Sequence, residues 1–276
     1  MYGSASGRLG YDAKLTPDRL MPLLGAPFAI AVCVFMLFAF VFHRSASFVV
    51  CFVVAGIVVS AAALVRYKAT PAHVHIAAFC LLAWCLSAFI GLLSSEVAFS
   101  HYWRLHDSNA YPNVLPSTSA AGVADAGKVS FADGAKLDVS KALGYMDVST
   151  FCVAPIVDEL SPPLVEFWAV GVNCCPARGG FDCDDAWSPE ARSGVVVHDT
   201  TGEYAAAIRM AEAVYGIASA DRPMLVRWVV DPETVELNFW RVGVALLLGG
   251  VLVFQVVFGV GALGLNAIQS YASFGR

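Results

Sequence analysis

The sequence predicts a membrane-embedded, all-α bundle of four helices carrying a small disulfide-stapled α/β domain between helices three and four. Three observations predict it. Of 276 residues, 58% are hydrophobic and 14% charged, with a mean hydropathy of +0.67, which is not the composition of a water-soluble surface. The 17 basic and 22 acidic residues almost vanish from four long windows. The eight cysteines divide evenly between those windows and the long segment that separates the third from the fourth. This composition excludes a soluble enzyme, a disordered tail and a collagen-like fibre. A net charge of -5 without a Lys/Arg cluster excludes a nucleic-acid binder.

The first window, Leu20 to Phe42, holds 23 uncharged residues, enough at about 1.5 Å per residue to cross a hydrocarbon core of roughly 30 Å. Pro22 and Pro27 fall in its first turns, where a missing N–H costs little. A second window runs from Ser45 to Val65, and the short His43-Arg44-Ser45 turn makes the two helices antiparallel neighbours. The third begins near Pro71 and runs through Trp84 and Phe89 to Glu96. The fourth follows Arg241 and is most apolar over Val242 to Leu265. Its Gly243, Gly249, Gly250, Gly259, Gly261 and Gly264 suit close approach of another helix or a pigment. The division is therefore a tail, 1–19; three spans within 20–96, at about 20–42, 45–65 and 72–95; a loop, 97–148; a domain, 149–237; and 238–276 with span four at about 242–265.

Residues 97–148 are rich in Ala, Ser, Asp, Asn and Gly with weak periodicity and read as irregular connection holding at most one short hairpin. The rest is better organised. Phe151 to Val157, Val165 to Val172, Gly194 to His198 and Met224 to Val230 read as buried strands, the last stopped by Asp231-Pro232. Glu203 to Ile217 carries Ala207, Ile208, Ala211, Val214 and Tyr215 at helical spacing after a Thr200-Thr201-Gly202 start signal.

Six basic residues, Arg8, Lys14, Arg19, Arg66, Lys68 and Arg276, lie on one side of this arrangement, and Arg44 alone lies in the short turn opposite. The positive-inside bias places both termini on the cytosol, stroma or matrix side and the long loop across the membrane. Cys152, Cys174, Cys175 and Cys183 are then expected to form two disulfides in the loop, while Cys33, Cys51, Cys80 and Cys85 are buried thiols of the spans. Adjacent Cys174 and Cys175 must take different partners. Cys152–Cys174 with Cys175–Cys183 is preferred over Cys152–Cys175 with Cys174–Cys183. A zinc site is disfavoured, because no C-x-x-C pair or suitably spaced His is present.

Intramembrane ionisable groups, which mark pumps and ion-coupled transporters, are nearly missing: His73 and His75 start span three, Glu96 ends it, and Gln255 is the polar group deep in span four. His75, and less so His43, are candidate axial ligands for a chlorophyll magnesium or a haem iron, and chlorophyll or carotenoid is a candidate cofactor at the span surface. The bland reading of both is an interfacial imidazole. Asp182, Asp184 and Asp185 match no calcium-loop spacing and read as a solvated acidic turn. Ser193, His198 and Asp199 lack a G-x-S-x-G elbow, so no catalytic residue is expected. Trp168, Trp187 and Trp228 read as domain core, Trp103 and Trp240 as interfacial anchors. None of the five Asn begins a glycosylation sequon, which disfavours a heavily glycosylated cell-surface ectodomain.

The runs Phe167-Trp168-Ala169-Val170-Gly171-Val172-Asn173-Cys174-Cys175, Phe181-Asp182-Cys183-Asp184-Asp185-Ala186, Ala191-Arg192-Ser193-Gly194 and Trp228-Val229-Val230-Asp231-Pro232 resemble uncharacterised multispan membrane proteins of dinoflagellates and relatives, over roughly 149–233. That resemblance implies a lineage and a disulfide-stapled domain on a membrane platform. With featureless spans and no catalytic constellation, the chain is expected to be a non-catalytic accessory subunit of a large bioenergetic complex, a photosystem with its antenna or a respiratory complex. Its expected partners are the lipid bilayer and other subunits, and the thylakoid is favoured over the mitochondrial inner membrane and plasma or endomembrane. A thylakoid location would make this sequence a mature form. The alternative is a tetraspanin-like organiser or receptor. The chain resembles tetraspanins in architecture, with four spans and a Cys-Cys loop, although Pro176 follows the Cys pair where tetraspanins have glycine.

Overall fold

The structure, a computed structural model, describes residues 17–66, 71–160 and 164–274. The tail to residue 16, with Arg8 and Lys14, and Lys68 and Arg276 lie outside the described residues. The described residues fall into two compact units, one formed by 17–66, 71–100 and 240–274 and the other by 101–160 and 164–239.

In the first unit, α1 (Pro17–Phe40), α2 (Ala46–Arg66) and α3 (Pro71–Ser94) precede a π-helical turn, Ser95–Phe99, that leads into α4 (Ser100–His106), while α6 (Pro232–Phe274) begins in the second unit. Four helical stretches are long and apolar enough to cross a membrane: Leu23–Phe40, Ala46–Arg66, Val74–His106 and Pro232–Leu265. Val58, Val59, Phe89, Leu252 and Val260 point outward, an apolar surface suited to acyl chains and costly in water. Ser87 and Ser94 are buried, and their hydroxyls donate to the carbonyls of Ala83 and Ile90 one turn earlier, the satisfaction lipid demands.

These helices do not form the simple four-helix bundle expected. Two separate apolar clusters share α1 and α3. In one, Val34 and Phe38 meet Val49 and Val53 of α2 with Trp84. In the other, Ala31, Phe35 and Ala83 meet Phe254 and Phe258 of α6. The reason is side-chain size: a Cβ on Gly56 would lie 2.2 Å from the Trp84 ring, and one on Gly91 would lie 2.3 Å from Phe38, so α2 and α1 each press against α3 through a glycine. On α6, Gly243, Gly250 and Gly261 face Phe99, Ile90 and Phe79, whereas Gly249, Gly259 and Gly264 face open space. Half of the glycine surface is thus a seat for aromatic and branched side chains.

The second unit departs further from expectation. In addition to β5 (Thr150–Val157), β6 (Leu164–Val172), β7 (Ser193–Val197) and β8 (Ala218–Val229), which lie on the four apolar runs, β1 (Asn109–Val114), β2 (Ala126–Phe131), β3 (Lys136–Leu137) and β4 (Leu143–Met146) occupy the segment expected to be irregular. Together they make an eight-stranded mixed sheet in the order β1-β2-β7-β8-β6-β5-β3, with β4 beside β3 on the edge of β5. The polar loop is ordered because β2, paired on both sides, buries most of its residues in a sheet whose central strands are apolar. Val129 and Phe131 of β2 enter the same core as Ala154, Phe167 and Trp228.

Helix α5 (Glu203–Tyr215) covers the opposite face, where Ala207, Ile208 and Ala211 pack on Val153, Trp168, Val170 and Leu225. Its start is set by Asp199, whose carboxylate accepts from the N–H groups of Gly202 and Ala205, and not by the threonines read as the start signal. Gly216, with φ of 66°, ends it by donating to the Glu212 carbonyl. Trp187, expected in the core, is 75% exposed, because it sits in the loop before β7 and not on a strand.

Candidate functional site

All four loop cysteines are paired, in the connectivity the sequence reading ranked second: Cys152–Cys175 and Cys174–Cys183. The cause is local. Asn173, following β6, adopts φ of 59°, and its side-chain carbonyl accepts from the Thr150 N–H. This left-handed step sends residues 175–180 along β4, where Gly144 donates to Ala177 and Gly179 to Ala142. Cys175 therefore passes over Gly144, the residue opposite Cys152 in the β4–β5 ladder, and meets Cys152 there. Cys174 stays beside β6 and takes Cys183, while the Asp182 N–H closes the loop on the Cys174 carbonyl.

The acidic turn next to this pair serves the fold. Asp184 binds the Arg227 guanidinium with both carboxylate oxygens, and Asp185 accepts from the Val230 N–H at 2.8 Å. The Asp184 hydrogen bond raises the pKa of Arg227 above its ordinary value, against the opposing effect of burial. Asp184 and Asp185 thus anchor the disulfide loop to β8, which the reading as a solvated turn missed.

A second charged cluster joins α4, β2 and the first turns of α6. Lys128 Nζ donates to Glu233 at 2.7 Å and to Glu236 at 2.5 Å, and Glu236 also contacts His106 Nδ1 at 2.9 Å. The Lys128 and Glu236 side chains are 11% and 7% exposed. Burial pulls the Lys128 pKa down, but the two glutamates outweigh it and leave the value raised. Asp231 caps α6 by accepting from the Glu233 N–H and the Thr234 hydroxyl, which holds its carboxyl below the usual range.

A cleft of about 900 Å³ opens where β7 stops at Val197, opposite Leu225, while β8 continues back to Ala218. Val196, Ile208 and Met224 form apolar lining, and Arg209, Glu212 and Arg222 contribute charge. Glu212 already accepts from the Ser219 N–H at 2.7 Å, and Asp199 from α5, so two of the cleft's acids are committed to backbone. The buried Ser219 hydroxyl has no hydrogen-bond partner. The cleft is thus lined by a mixture of apolar side chains, charges and backbone-committed acids.

Ser193 opens β7 and His198 follows its end, roughly 16 Å apart at about 3.3 Å per residue, and Ser193 Oγ contacts Ser130 Oγ at 3.2 Å. With Asp199 capping α5, the three do not assemble. In the helical unit, His43 follows α1 and His75 lies in the first turns of α3, both half-buried. Phe38 reaches Gly91, while Phe35 and Ala31 share a cluster with Ala83, so α1 and α3 run parallel. The two imidazoles therefore sit at opposite ends of the unit and do not share a ligand. Gln255 and Glu96 are exposed on their helices. Trp240 packs on Phe40 and Phe99, and Trp103 on Tyr102 and His106.

At the other end of the sheet unit, the β4–β5 hairpin and the end of β6 expose Met146 (76%), Val148 (96%) and Val172. The register sets Met146 against Thr150 and Phe151 against Val172, which places all three at one sheet end. No family model, curated protein or solved structure matches the chain.

Proposed function

We propose that the chain is a non-catalytic accessory subunit of a large bioenergetic membrane complex, a photosystem with its antenna or a respiratory complex. Its helices are the membrane anchor and packing surface, and its sheet unit is the clamp on neighbouring subunits. The observation that carries this reading is the exposed apolar end of the sheet unit at Met146, Val148 and Val172. A disulfide-stapled, charge-bearing domain gains nothing from placing such residues in water, and exposed apolar groups of this kind mark protein contacts. The charged clusters around Lys128 and Asp184 serve internal structure, consistent with a scaffold and not with catalysis. In this reading both termini face the cytosol, stroma or matrix, and pigment, where bound, lies at the surface of the spans.

The second reading, a tetraspanin-like organiser, draws on the same apolar end and on a Cys-Cys domain set between helices three and four. The two readings differ in what accompanies the chain. Native protein extracted in mild detergent is expected to migrate with several fixed subunits and, for a photosystem, with pigment absorbance. Substitution Val148→Asp is expected to weaken that association without unfolding the domain. Fixed protein partners without pigment or redox cofactors favour the organiser, and migration as a lone monomer contradicts both.

A further inference from the structure

Each disulfide of the sheet unit has one buried sulfur and one nearer the surface: Cys152 and Cys183 lie in the core, Cys175 and Cys174 are half-buried. The two bonds are also adjacent. The sulfurs of Cys152, Cys174 and Cys183 all lie within 4.8 Å of one another, although Cys152 is bonded to none but Cys175. The backbone enforces this proximity. Cys152 faces Gly171 across the β5–β6 ladder, and a Cβ on Gly171 would stand 2.4 Å from the Cys183 sulfur and 2.6 Å from that of Cys174. The second disulfide fills the space a side chain at 171 would take, next to the first.

We propose that these four cysteines form a thiol–disulfide exchange site whose partner is a dithiol reductant. A thiolate of the dithiol attacks Cys175 Sγ, forms a mixed disulfide and expels Cys152 as thiolate. The second thiol of the reductant gives up its proton and attacks its own sulfur in the mixed disulfide. The reductant leaves as a disulfide, and Cys175 becomes a thiol. Cys152, released in an apolar core where its charge is disfavoured, attacks the neighbouring Cys174 or Cys183 sulfur. A Cys152 disulfide forms, and the displaced sulfur leaves as thiolate and takes a proton. In balance, the dithiol loses two electrons and two protons, one protein disulfide becomes two thiols, and the surviving disulfide contains Cys152. A reducing signal received at Cys175 is thereby passed to the sulfurs that hold the Asp182–Asp185 turn.

Two variants of the full chain in detergent test this without any reductant, because the inner exchange is electronically neutral. Cys175→Ser leaves Cys152 within reach of the Cys174–Cys183 bond, so thiol labelling after acid quench should divide between Cys152 and Cys174 or Cys183. Cys152→Ser leaves Cys175, which is not in the trio, so its label should stay on Cys175. The span cysteines give a common baseline. Both variants remove the same bond, so a shared folding defect would alter them alike. Treatment of the wild-type chain with one equivalent of dithiothreitol, followed by alkylation and peptide mapping, needs no substitution. A one-disulfide species with Cys152 joined to Cys174 or Cys183 supports the site. Label confined to Cys152 in Cys175→Ser, or Cys174–Cys183 as the sole surviving pair in the wild type, overturns it.

Discussion

The helical unit and the sheet unit of this chain are held together by different forces because they answer to different solvents. In the helical unit, Phe254 and Phe258 stack in a cluster with Phe35 and Ala83, glycines let helices touch, and the buried Ser87 and Ser94 hydroxyls bond to their own helix. The cysteines there, Cys33, Cys51, Cys80 and Cys85, form no disulfide. In the sheet unit, two disulfides, a buried lysine with two glutamates and a bidentate Asp184–Arg227 pair supplement a core that includes Phe131, Phe167 and Trp228. Lipid gives no drive to hide an apolar group, so packing and backbone satisfaction carry the first unit. Water gives that drive to the second, where burial is costly only for charges that lack partners.

The largest separation between the two is expected at Lys128. Lys128→Met leaves Glu236 buried beside an uncharged side chain and should destabilise the sheet unit by about 3–5 kcal/mol, read from urea unfolding in detergent. The same pair predicts a pH dependence. Because the folded pKa of Lys128 is raised, its contribution is fully present below the ordinary lysine value of 10.5 and is lost as pH rises through the folded value. Wild-type protein should weaken in that alkaline range more steeply than the variant, and parallel pH profiles would refute the assignment.

A matched pair of truncations is expected to show a smaller but more direct contrast. Phe167→Ala in the sheet core should cost about 3–5 kcal/mol, transfer and cavity terms together. Phe254→Ala, equally buried among helices, should cost roughly 1–2 kcal/mol, since in lipid only packing is lost. Equal costs would show that α6 folds against an aqueous core. The smallest effect is expected at Arg192, paired with Asp133 on the surface. Arg192→Ala should change stability by under about 0.5 kcal/mol.

How much of this was legible in the sequence follows the same division. The spans could be read from charge-free windows because lipid imposes one rule on every residue, though charges such as Glu96 and Arg104 hid the continuation of α3 through the π-helical turn into α4. Strands β5 to β8 were visible where both faces are buried and the runs are apolar. Strands β1 to β4 were not, because edge positions such as Asn109, Pro112 and Lys136 have polar sequences, and Lys128 reads as surface until Glu233 and Glu236 arrive from more than a hundred residues away. The disulfide partners turned on the backbone sign of one residue, Asn173, which favours the left-handed region without announcing it. The cleft was hidden for a related reason: Ala218 to Pro223 extend β8 with small and charged residues and no large apolar side chain to mark a strand.

The two-solvent account depends first on the number of crossings. In sealed vesicles, with the four span cysteines replaced by alanine, single cysteines at Ser45, Arg66 and Val148 can be tested with a membrane-impermeant maleimide. Four crossings predict that positions 45 and 148 label from one side and position 66 from the other. Labelling of positions 66 and 148 from the same side would contradict the account.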